Sequence, residues 1–556
     1  MSDIIKTQHS FAKKAMCVPK HKFEKLYRLI CQEQWITTAL HSVLANKGSK
    51  TAGIDRITRN ELTSKQAKQA LIHEIRQELK ERKFKPSPVK RIYIPKSNGK
   101  KRPLGIATLK DRVVQMLIKM VLEPIFESDF LNCSNGFRPG RRTMDCIARL
   151  DSYINKRNKF FWVIEGDIKG AFDNIQSQLL MKFLSERIAD SRILSLINNF
   201  LKAGIMQGKL FHKSEMGVPQ GSICSPLLAN IYLHRLDLYW WNKYGNLHRK
   251  EKERRRSNHK GNCALIRYAD DWLLLTNGNK AEAYRLREEF EEFLKKELKL
   301  ELSLEKTHVT HVNKGFDFLG FHIRRYTSSN DQPKMLVMPS KSNQNRFKTK
   351  IKEMTKRKRF RDLPLLKFSA LNSVLRGWIN YYQHCNAKKT AKDLDYWVND
   401  RLFLWLKKRH KLCGRRIIKL YRRRENGTRD NWAIKNGEDL LFLYRMSDKP
   451  ITKYRSRKPE NPYLKHVEIV ESSKDVPLPD YIWLGNAQNN EIWREVKALV
   501  KSKKGAKCEL CGNSDLLQLH HVKAKCHGGQ DTEENAQLLC FECHIQTPTF
   551  GRQKLQ

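Results

Sequence analysis

The stretch Tyr268-Ala-Asp-Asp271 lies between two apolar runs, Ala264-Leu-Ile266 before it and Trp272-Leu-Leu-Leu275 after it. Runs of this length predict buried strands, so the two acids between them should lie at the tip of a hairpin. Neighbouring carboxylates repel, and burying them unpaired is costly, but a divalent cation removes both difficulties. We therefore expect Asp270 and Asp271 to bind Mg²⁺ for phosphoryl transfer. Taken alone, the pair is more typical of an ordinary Asp-rich turn, and other segments must decide between the two.

A second acid also stands at the end of an apolar run. Phe160-Phe-Trp-Val-Ile164 predicts a strand that ends at Asp167, and residues 302–307 and 316–321 predict two more. Together with the helical patterns between them, these strands predict an α+β sheet with helices on one face. One of those helices should run from Leu227 to about Trp241, after Ser225 as N-cap and Pro226 as first helical residue.

Two cationic side chains flank a predicted β-ribbon. Strands over 91–96 and 101–106 enclose the turn Ser97-Asn98-Gly99, and Asn-Gly is a strong hairpin signal. The ribbon brings Lys96 and Arg102 near each other, where they could clamp a triphosphate. A solvated basic hairpin explains the same pattern equally well.

The composition points to an anionic partner. The chain has 556 residues, enough for about three or four domains, and 108 Lys and Arg against 58 Asp and Glu give a net charge of +50. Nucleic acid is the leading candidate, and a membrane surface is the weaker alternative. No apolar run reaches the roughly 18–20 residues of a spanning helix. Residues 1–6 lack a signal-peptide core, and most of the 13 cysteines are isolated, so we expect a reducing compartment where the protein is made.

Three further segments have distinct compositions. His248–Arg256 contains no apolar residue and predicts a solvated insertion loop. Residues 335–455 predict basic helices with interleaved Trp and Tyr, which suits an RNA surface, although we expect most of the aromatics to be core. Residues 456–503 carry several prolines and predict a linker or a small irregular domain.

Two Cys-x-x-Cys pairs lie near the C-terminus, Cys508-Glu-Leu-Cys511 and Cys540-Phe-Glu-Cys543. Four thiolates at this spacing suit a tetrahedral structural Zn²⁺, and a domain of this size needs such a ligand because its own core is small. The cysteines alone fit a zinc ribbon that binds nucleic acid without cutting it.

The motifs in their order resemble those of a known family. They are Lys96…Arg102-Pro-Leu-Gly-Ile, Gly136-Phe-Arg-Pro-Gly-Arg, Asp167-Ile-Lys-Gly-Ala-Phe172-Asp, Pro219-Gln-Gly221…Ser225-Pro-Leu-Leu-Ala-Asn230, Tyr268-Ala-Asp-Asp271, Leu304-Glu-Lys306-Thr and Phe318-Leu-Gly-Phe321. This series resembles the reverse transcriptase blocks of group II intron-encoded proteins, and Arg376-Gly-Trp-Ile-Asn-Tyr-Tyr382 resembles their thumb, or maturase X domain. The resemblance covers nearly the whole chain.

The resemblance implies roles for individual residues. Asp167 and Asp270 would bridge two Mg²⁺ ions, with Asp271 as the third carboxylate, and Phe172 would exclude a ribose 2′-hydroxyl. The residues implied in nucleotide binding are Lys96 and Arg102 on the triphosphate, Gln220 and Gly221 along the nascent base pair, and Lys306 near the leaving group.

The C-terminal segment resembles the HNH nuclease fold, a ββα-metal unit, because His520-His521, Asn535 and His544 accompany the cysteines. His521 would then be the general base, with His520 and His544 as ligands of a catalytic divalent ion. Asn535 would orient the loop that carries the base.

The expected fold is multidomain α+β, with right-hand polymerase fingers and palm, an α-helical thumb and a small zinc-containing HNH domain. The expected domains are fingers and palm with an N-terminal RNA-binding extension (1–330), thumb or domain X (331–455), a DNA-binding linker (456–503) and the HNH domain (504–556).

The family implies a multifunctional protein that reverse-transcribes, assists splicing and nicks DNA. Its partners would be group II intron RNA, target DNA and dNTPs, without a membrane, and the oligomeric state stays open with a dimer as one alternative. We expect it in the cytoplasm or nucleoid of a bacterium, or inside an organelle that encodes it, and not secreted. The alternative is an RNA-binding splicing factor that neither makes nor cuts DNA.

Overall fold

The chain divides into two compact units, Met1–Ser472 and Ser473–Gln556. The computed structural model describes residues 2–95, 101–154, 160–207, 210–212, 221–258, 260–327, 333–356, 362–425, 429–454 and 460–464 of the first, and 500, 502, 505, 507–514, 517–522, 533–540 and 543 of the second. None of the helices in these ranges is both long and apolar enough to cross a membrane.

The helices with defined bounds lie in the first unit. They are α1 (Ser2–Cys17), α2 (Leu26–Ile30), α3 (Glu33–Ala45), α4 (Lys65–Lys80), α5 (Leu109–Asp129), α6 (Thr143–Ile154), α7 (Ser177–Ser185), α8 (Ser191–Lys202), α9 (Ser225–Trp240), α10 (Arg249–Ser257), α11 (Lys280–Glu297), α12 (Lys341–Met354), α13 (Pro364–Tyr382), α14 (Lys388–His410) and α15 (Gly414–Tyr421). Side-chain caps fix several starts, as where the Thr108 hydroxyl accepts from the Asp111 N–H at the start of α5.

The described strands form five small sheets. They are β1 (Val89–Pro95), β2 (Lys101–Ile106), β3 (Trp162–Asp167), β4 (Ile205–Gln207), β5 (Leu210–His212), β6 (Cys263–Tyr268), β7 (Asp271–Thr276), β8 (His308–His311), β9 (Phe316–Phe318), β10 (Phe321–Thr327), β11 (Pro333–Pro339), β12 (Arg422–Glu425), β13 (Arg429–Asn436), β14 (Asp439–Phe442), β15 (Gln518–His521) and β16 (Ala536–Leu539).

The central sheet has the order β6-β7-β3-β8, and all its pairings are antiparallel. On one face, Leu273 and Leu275 join a core that includes Ile147 of α6. On the other, Trp272 stacks on Phe290 of α11 with ring centroids 3.9 Å apart. Helices thus cover both faces, which corrects the expectation of one covered face and explains why the run after Asp271 is continuously apolar.

A second sheet, of order β2-β1-β4-β5, contains the predicted ribbon. β1 and β2 pair antiparallel, with Ile94 opposite Arg102 and Pro95 opposite Lys101, which confirms the hairpin. The predicted turn, with Lys96, lies outside the described residues.

The core of the central sheet continues into the region after residue 330. One cluster of buried side chains runs from Ile266 and Leu273 through Phe321 and Tyr382 to Trp405. Most of the aromatic residues interleaved among the basic helices therefore serve as core, as expected, and exposed cations such as Lys407 lie outside it. Helices α12 to α15 form most of this region, as expected, and β12, β13 and β14 add a three-stranded sheet to it.

Three local predictions also need correction. His248–Arg256 is not a loop, because α10 forms there, supported by ion pairs such as Arg249–Glu253 one turn apart. Residues 302–307 are not a strand, since a 3₁₀ turn occupies Leu304–Lys306. Ser225 is the first residue of α9 instead of its N-cap, and its predecessor holds the cap position without a side-chain bond.

Candidate active site and metal centre

The turn between β6 and β7 and the end of β3 place the predicted carboxylates at the same end of the strands of the central sheet. Ala269 and Asp270 form the turn, and Ala269 adopts a left-handed φ of 59°. Asp271 begins β7 directly opposite Asp167, the last residue of β3. Opposed residues of antiparallel strands lie about 5 Å apart, so the register brings Asp167 and Asp271 to the same end of the sheet, with Asp270 in the adjoining turn.

The side chain of Lys306 also reaches this end of the sheet. The Lys306 ammonium donates to a carboxylate oxygen of Asp167 over 2.5 Å, and both groups are partly exposed. The 3₁₀ turn that carries Lys306 is fixed to the end of β3, because the Ser303 N–H donates to the Asp167 carbonyl at 2.9 Å. Lys306 therefore supplies positive charge at the predicted metal site.

A buried arginine holds the turn from behind. Arg267 is completely buried, and its guanidinium donates to both carboxylate oxygens of Asp237 on α9, at 2.8 and 2.5 Å. The same guanidinium donates to the carbonyl of Ala269 at 2.9 Å. Burial favours the neutral form of Asp237, but the adjacent Arg267 outweighs it and lowers the pKa of Asp237 to about 2. The ion pair therefore fixes the turn at any physiological pH.

The loop 134–138 packs against the same turn. Arg267 donates to Asn230 at 3.0 Å, and the Asn230 amide donates to the carbonyl of Gly136 at 2.8 Å. A side chain on Gly136 would overlap the backbone nitrogen of Ala269, so only glycine permits this close approach. The loop 134–138 is thereby packed firmly against the turn at Ala269 and Asp270.

A small cleft opens beside Asp270, lined by Phe137 and Phe172 among others. Phe172 follows β3 by five residues, as the sequence motif requires. Its ring meets that of Phe137 edge to face, with centroids 6.1 Å apart and planes at 77°. The candidate sugar gate therefore lies in the same cleft as Asp270.

The other candidate nucleotide residues are only partly described. Gly221 has a φ of 109°, and a side chain there would press against the carbonyl of Gly105, so the loop before α9 packs on β2. Arg102 lies on β2 opposite Ile94. Lys96 and Gln220 lie outside the described residues.

The second unit contains a cysteine cluster. The sulfurs of Cys508, Cys511, Cys540 and Cys543 all lie within 4.8 Å of one another. Tetrahedral Zn–S bonds of about 2.3 Å would separate the sulfurs by roughly 3.8 Å, so the donor set fits zinc. Burial opposes the thiolate of Cys508, but N–H donors to its sulfur outweigh burial and lower its pKa to about 6.

Two of the candidate nuclease residues, His520 and His521, lie on β15, which pairs antiparallel with β16. The register places His521 opposite Ala536, and the Val522 N–H donates to the Asn535 carbonyl at 3.0 Å. His521 and Asn535 are therefore brought to the same end of the hairpin. His520 is buried, and His544 lies outside the described residues.

Sequence reasoning missed the buried Arg267 network that holds the turn at Ala269 and Asp270. Arg267 interrupts the apolar strand Ala264-Leu-Ile-Arg-Tyr268, and a charge inside a buried strand requires a partner. That signal was available, whereas its partners Asp237 and Asn230 could not be named because they are distant in sequence. Phe137 lies within the motif Gly136-Phe-Arg-Pro-Gly-Arg, but sequence reasoning assigned no role to it.

Comparison with family models divides the chain into three matched parts. Residues 94–323 match the model described as reverse transcriptase (RNA-dependent DNA polymerase), and residues 344–423 match that for the group II intron maturase-specific domain. Residues 508–547 match the HNH endonuclease model.

Individual proteins show the same similarity. Protein YkfC of Escherichia coli is 39% identical over 342 residues, which cover 58% of this chain and 89% of that protein. The group II intron-encoded protein LtrA of Lactococcus lactis is 29% identical over 94% of this chain and 95% of its own length. The putative COX1/OXI3 intron 1 protein of Saccharomyces cerevisiae is 25% identical over 86% of this chain and 64% of its own length.

Proposed function

Because this chain belongs to the group II intron-encoded proteins and combines reverse transcriptase, maturase and HNH endonuclease domains, we propose that Asp167, Asp270 and Asp271 form its polymerase centre. The observation that carries this proposal is the register of the central sheet, with Asp271 opposite Asp167 and Asp270 in the adjoining turn. The carboxylate oxygens are ligands that suit Mg²⁺. Cations bound there would neutralise charge on the triphosphate and assist ionisation of the primer 3′-hydroxyl.

The surrounding residues would position the nucleotide. Phe172 would exclude a ribose 2′-hydroxyl by occupying the space beside the sugar, and its position in the cleft with Asp270 supports this role. Lys306 would hold positive charge close to the leaving group, consistent with its ion pair to Asp167. Lys96 and Arg102 are assigned to the triphosphate, and Gln220 and Gly221 to the nascent base pair.

Primer extension on an RNA template tests the polymerase centre. We expect Asp270→Asn to abolish extension of a DNA primer and to leave affinity for intron RNA within about twofold of the wild type. Glu292→Gln is the matched control, since this exposed acid pairs with Lys296 within α11. Extension by Asp270→Asn at the wild-type rate would contradict the assignment.

The intron RNA is the proposed partner of the basic surface after residue 330. The domain matched by the maturase-specific model presents exposed cations, among them Lys407, Lys408, Arg415 and Arg416. Each phosphate contact releases counterions, so RNA affinity should fall linearly with salt on a double-logarithmic scale. A salt-independent affinity would contradict this surface. RNA carries out splicing in this proposal, and the protein stabilises the active RNA fold.

The C-terminal unit would nick DNA. Cys508, Cys511, Cys540 and Cys543 would hold a structural Zn²⁺, while His520 and His544 would bind a divalent ion. His521 would take the proton from the attacking water, with Asn535 supporting its loop. A nicking assay on His521→Ala checks the base, and full retained nicking would exclude it.

The three activities together suit insertion of the intron into DNA by target-primed reverse transcription, as a ribonucleoprotein. The nick would supply the 3′-end that the polymerase centre extends while it copies the intron RNA. We assign this reaction to the cytoplasm or nucleoid of a bacterium, or to the interior of an organelle that encodes the protein. A splicing factor without DNA synthesis would have no use for three carboxylates at the ends of these neighbouring strands.

A further inference from the structure

Phe137 occupies an unfavourable position for a phenylalanine. Its side chain is 50% exposed, and it is the one exposed phenylalanine in the described part of the chain. Its φ of 59° lies in the left-handed region, which bulky residues rarely adopt. Both features cost stability, and such local strain is typical of functional sites.

The residues on either side of Phe137 are firmly held. The Gly136 carbonyl accepts from Asn230, which is bonded in turn to the buried Arg267. On the other side, the Arg138 guanidinium is buried against Glu127 and donates to the Ser134 carbonyl at 2.8 Å. The backbone therefore cannot relax to relieve the strain, and the Cα–Cβ bond of Phe137 keeps a fixed direction.

That direction leads to the candidate sugar gate. The Phe137 ring meets Phe172 at a centroid distance of 6.1 Å and an angle of 77°, a favourable edge-to-face geometry. Both rings line the cleft that includes Asp270. Phe172 itself follows the strand end in a segment of turns, so a neighbour that restricts its ring has a direct effect on the shape of the cleft.

We propose that Phe137 is a positioning residue for sugar selection, which holds the Phe172 ring where it excludes a ribose 2′-hydroxyl. This inference rests on the proposed role of Phe172. Without Phe137, the Phe172 ring could turn into the space vacated and admit the hydroxyl. The buried hydrogen bonds from Arg267 to Asn230 and from Asn230 to Gly136 would thus help to position both the metal-binding turn and the sugar gate.

The test measures incorporation of single nucleotides by the full-length protein on an RNA template with a DNA primer. The quantity compared is the ratio of kcat/KM for dNTP to kcat/KM for the matching rNTP. We expect Phe137→Ala to lower this ratio about three- to tenfold, which corresponds to the loss of one aromatic pair. Phe137→Tyr should retain the wild-type ratio, because it keeps the ring edge.

A double substitution distinguishes positioning from a general structural role. Phe172→Ala should lower the ratio more than Phe137→Ala, and adding Phe137→Ala to it should change the ratio less than about twofold. Tyr284→Ala, which removes a comparably exposed aromatic from α11, is the matched control and should leave the ratio unchanged.

The outcomes separate the two proposals. If Phe172→Ala relaxes selection and Phe137→Ala does not, the inference about Phe137 is wrong and the gate remains. If Phe172→Ala leaves the ratio unchanged, the gate itself is wrong, and the inference fails with it. Equal losses for dNTP and rNTP in Phe137→Ala would show a structural role only and would also overturn the inference.

Discussion

The turn at Ala269 and Asp270 in the first unit and the cysteine cluster of the second are two candidate metal sites built in opposite ways. The turn is backed by a large core and by Arg267, which is fully buried and bonded to Asp237 and Ala269. The cysteine cluster lies among a core of eight described buried residues, two of which are themselves the ligands Cys508 and Cys540. In the first site the protein orders the ligands, whereas in the second the ligands are a substantial part of what orders the protein.

This difference predicts opposite consequences of losing the metal. A site preformed by the fold should lose its chemistry and keep its structure. A site in a small unit should lose its structure as well, because binding free energy of the ion contributes to folding.

The largest expected effect is on the preformed site. Asp167→Asn should lower primer extension by about 10³-fold or more, since the variant loses a charged ligand for the catalytic cations. The thermal unfolding midpoint of the first unit should change little, because the Lys306–Asp167 ion pair that the variant loses is partly exposed and the relief of repulsion among the carboxylates offsets its loss. Asp317→Asn, at an exposed acid paired with His322, serves as the control. A large drop in the midpoint for Asp167→Asn would contradict the expectation that the first site keeps its structure when it loses its chemistry.

The next effect is on the cysteine cluster. Cys511→Ser should release zinc and abolish nicking, and hydrogen exchange should show loss of protection in β15 and β16. Protection in β6 and β7 should be unchanged, together with extension of a supplied primer. Cys413→Ser is the control, because this exposed cysteine is far from the cluster in sequence and outside its unit. If β15 and β16 stay protected without zinc, the second unit does not depend on the metal.

Substitution of Arg267 tests how much the buried ion pair with Asp237 contributes to the preformed site. Arg267→Met should lower the free energy of unfolding by about 3–5 kcal/mol, because Asp237 is then left buried without its partner. Primer extension should fall in the same variant, since the Ala269 carbonyl loses its donor. Arg285→Met removes a partly exposed ion pair and should cost about 1 kcal/mol or less. Equal costs for the two variants would contradict the special role of the buried pair.

The smallest effect is on pH dependence. The pKa of Asp237 is lowered from 3.8 to about 2 in the folded protein. Its contribution to stability is therefore complete above about pH 4 and is lost as the pH falls towards 2, on the order of 2 kcal/mol in all. Free energies of unfolding between pH 4 and pH 2 should decline less steeply in Asp237→Asn than in the wild type. Parallel declines would show that Asp237 is not ionised in the fold.

Local patterns predict the elements that carry the candidate site residues. The apolar runs around Asp270 and Asp271 specify a hairpin, and the strand that ends at Asp167 follows from the same signal. The spacing of the two Cys-x-x-Cys pairs likewise identifies the cluster that the structure assembles. These features are readable because each depends on residues that are close together in sequence.

The rest depends on contacts between distant residues. Asp237 and Arg267 are 30 positions apart, and Phe137 and Phe172 are 35 apart, so no local pattern pairs them. The helix α10 was mistaken for a loop because it has no apolar face, and its stability comes from charge pairs such as Arg249–Glu253 instead. Periodicity of apolar residues cannot detect a helix of that kind.

The central claim is that one chain makes a primer at one metal site and extends it at the other. The most direct test offers the full-length protein, bound to its intron RNA, either intact double-stranded target DNA or the same DNA already nicked. We predict that Asp270→Asn nicks intact DNA without extending it. Cys540→Ser should incorporate nucleotides only on the nicked DNA. Incorporation on intact DNA by Cys540→Ser at the wild-type level, or extension by Asp270→Asn, would contradict the account.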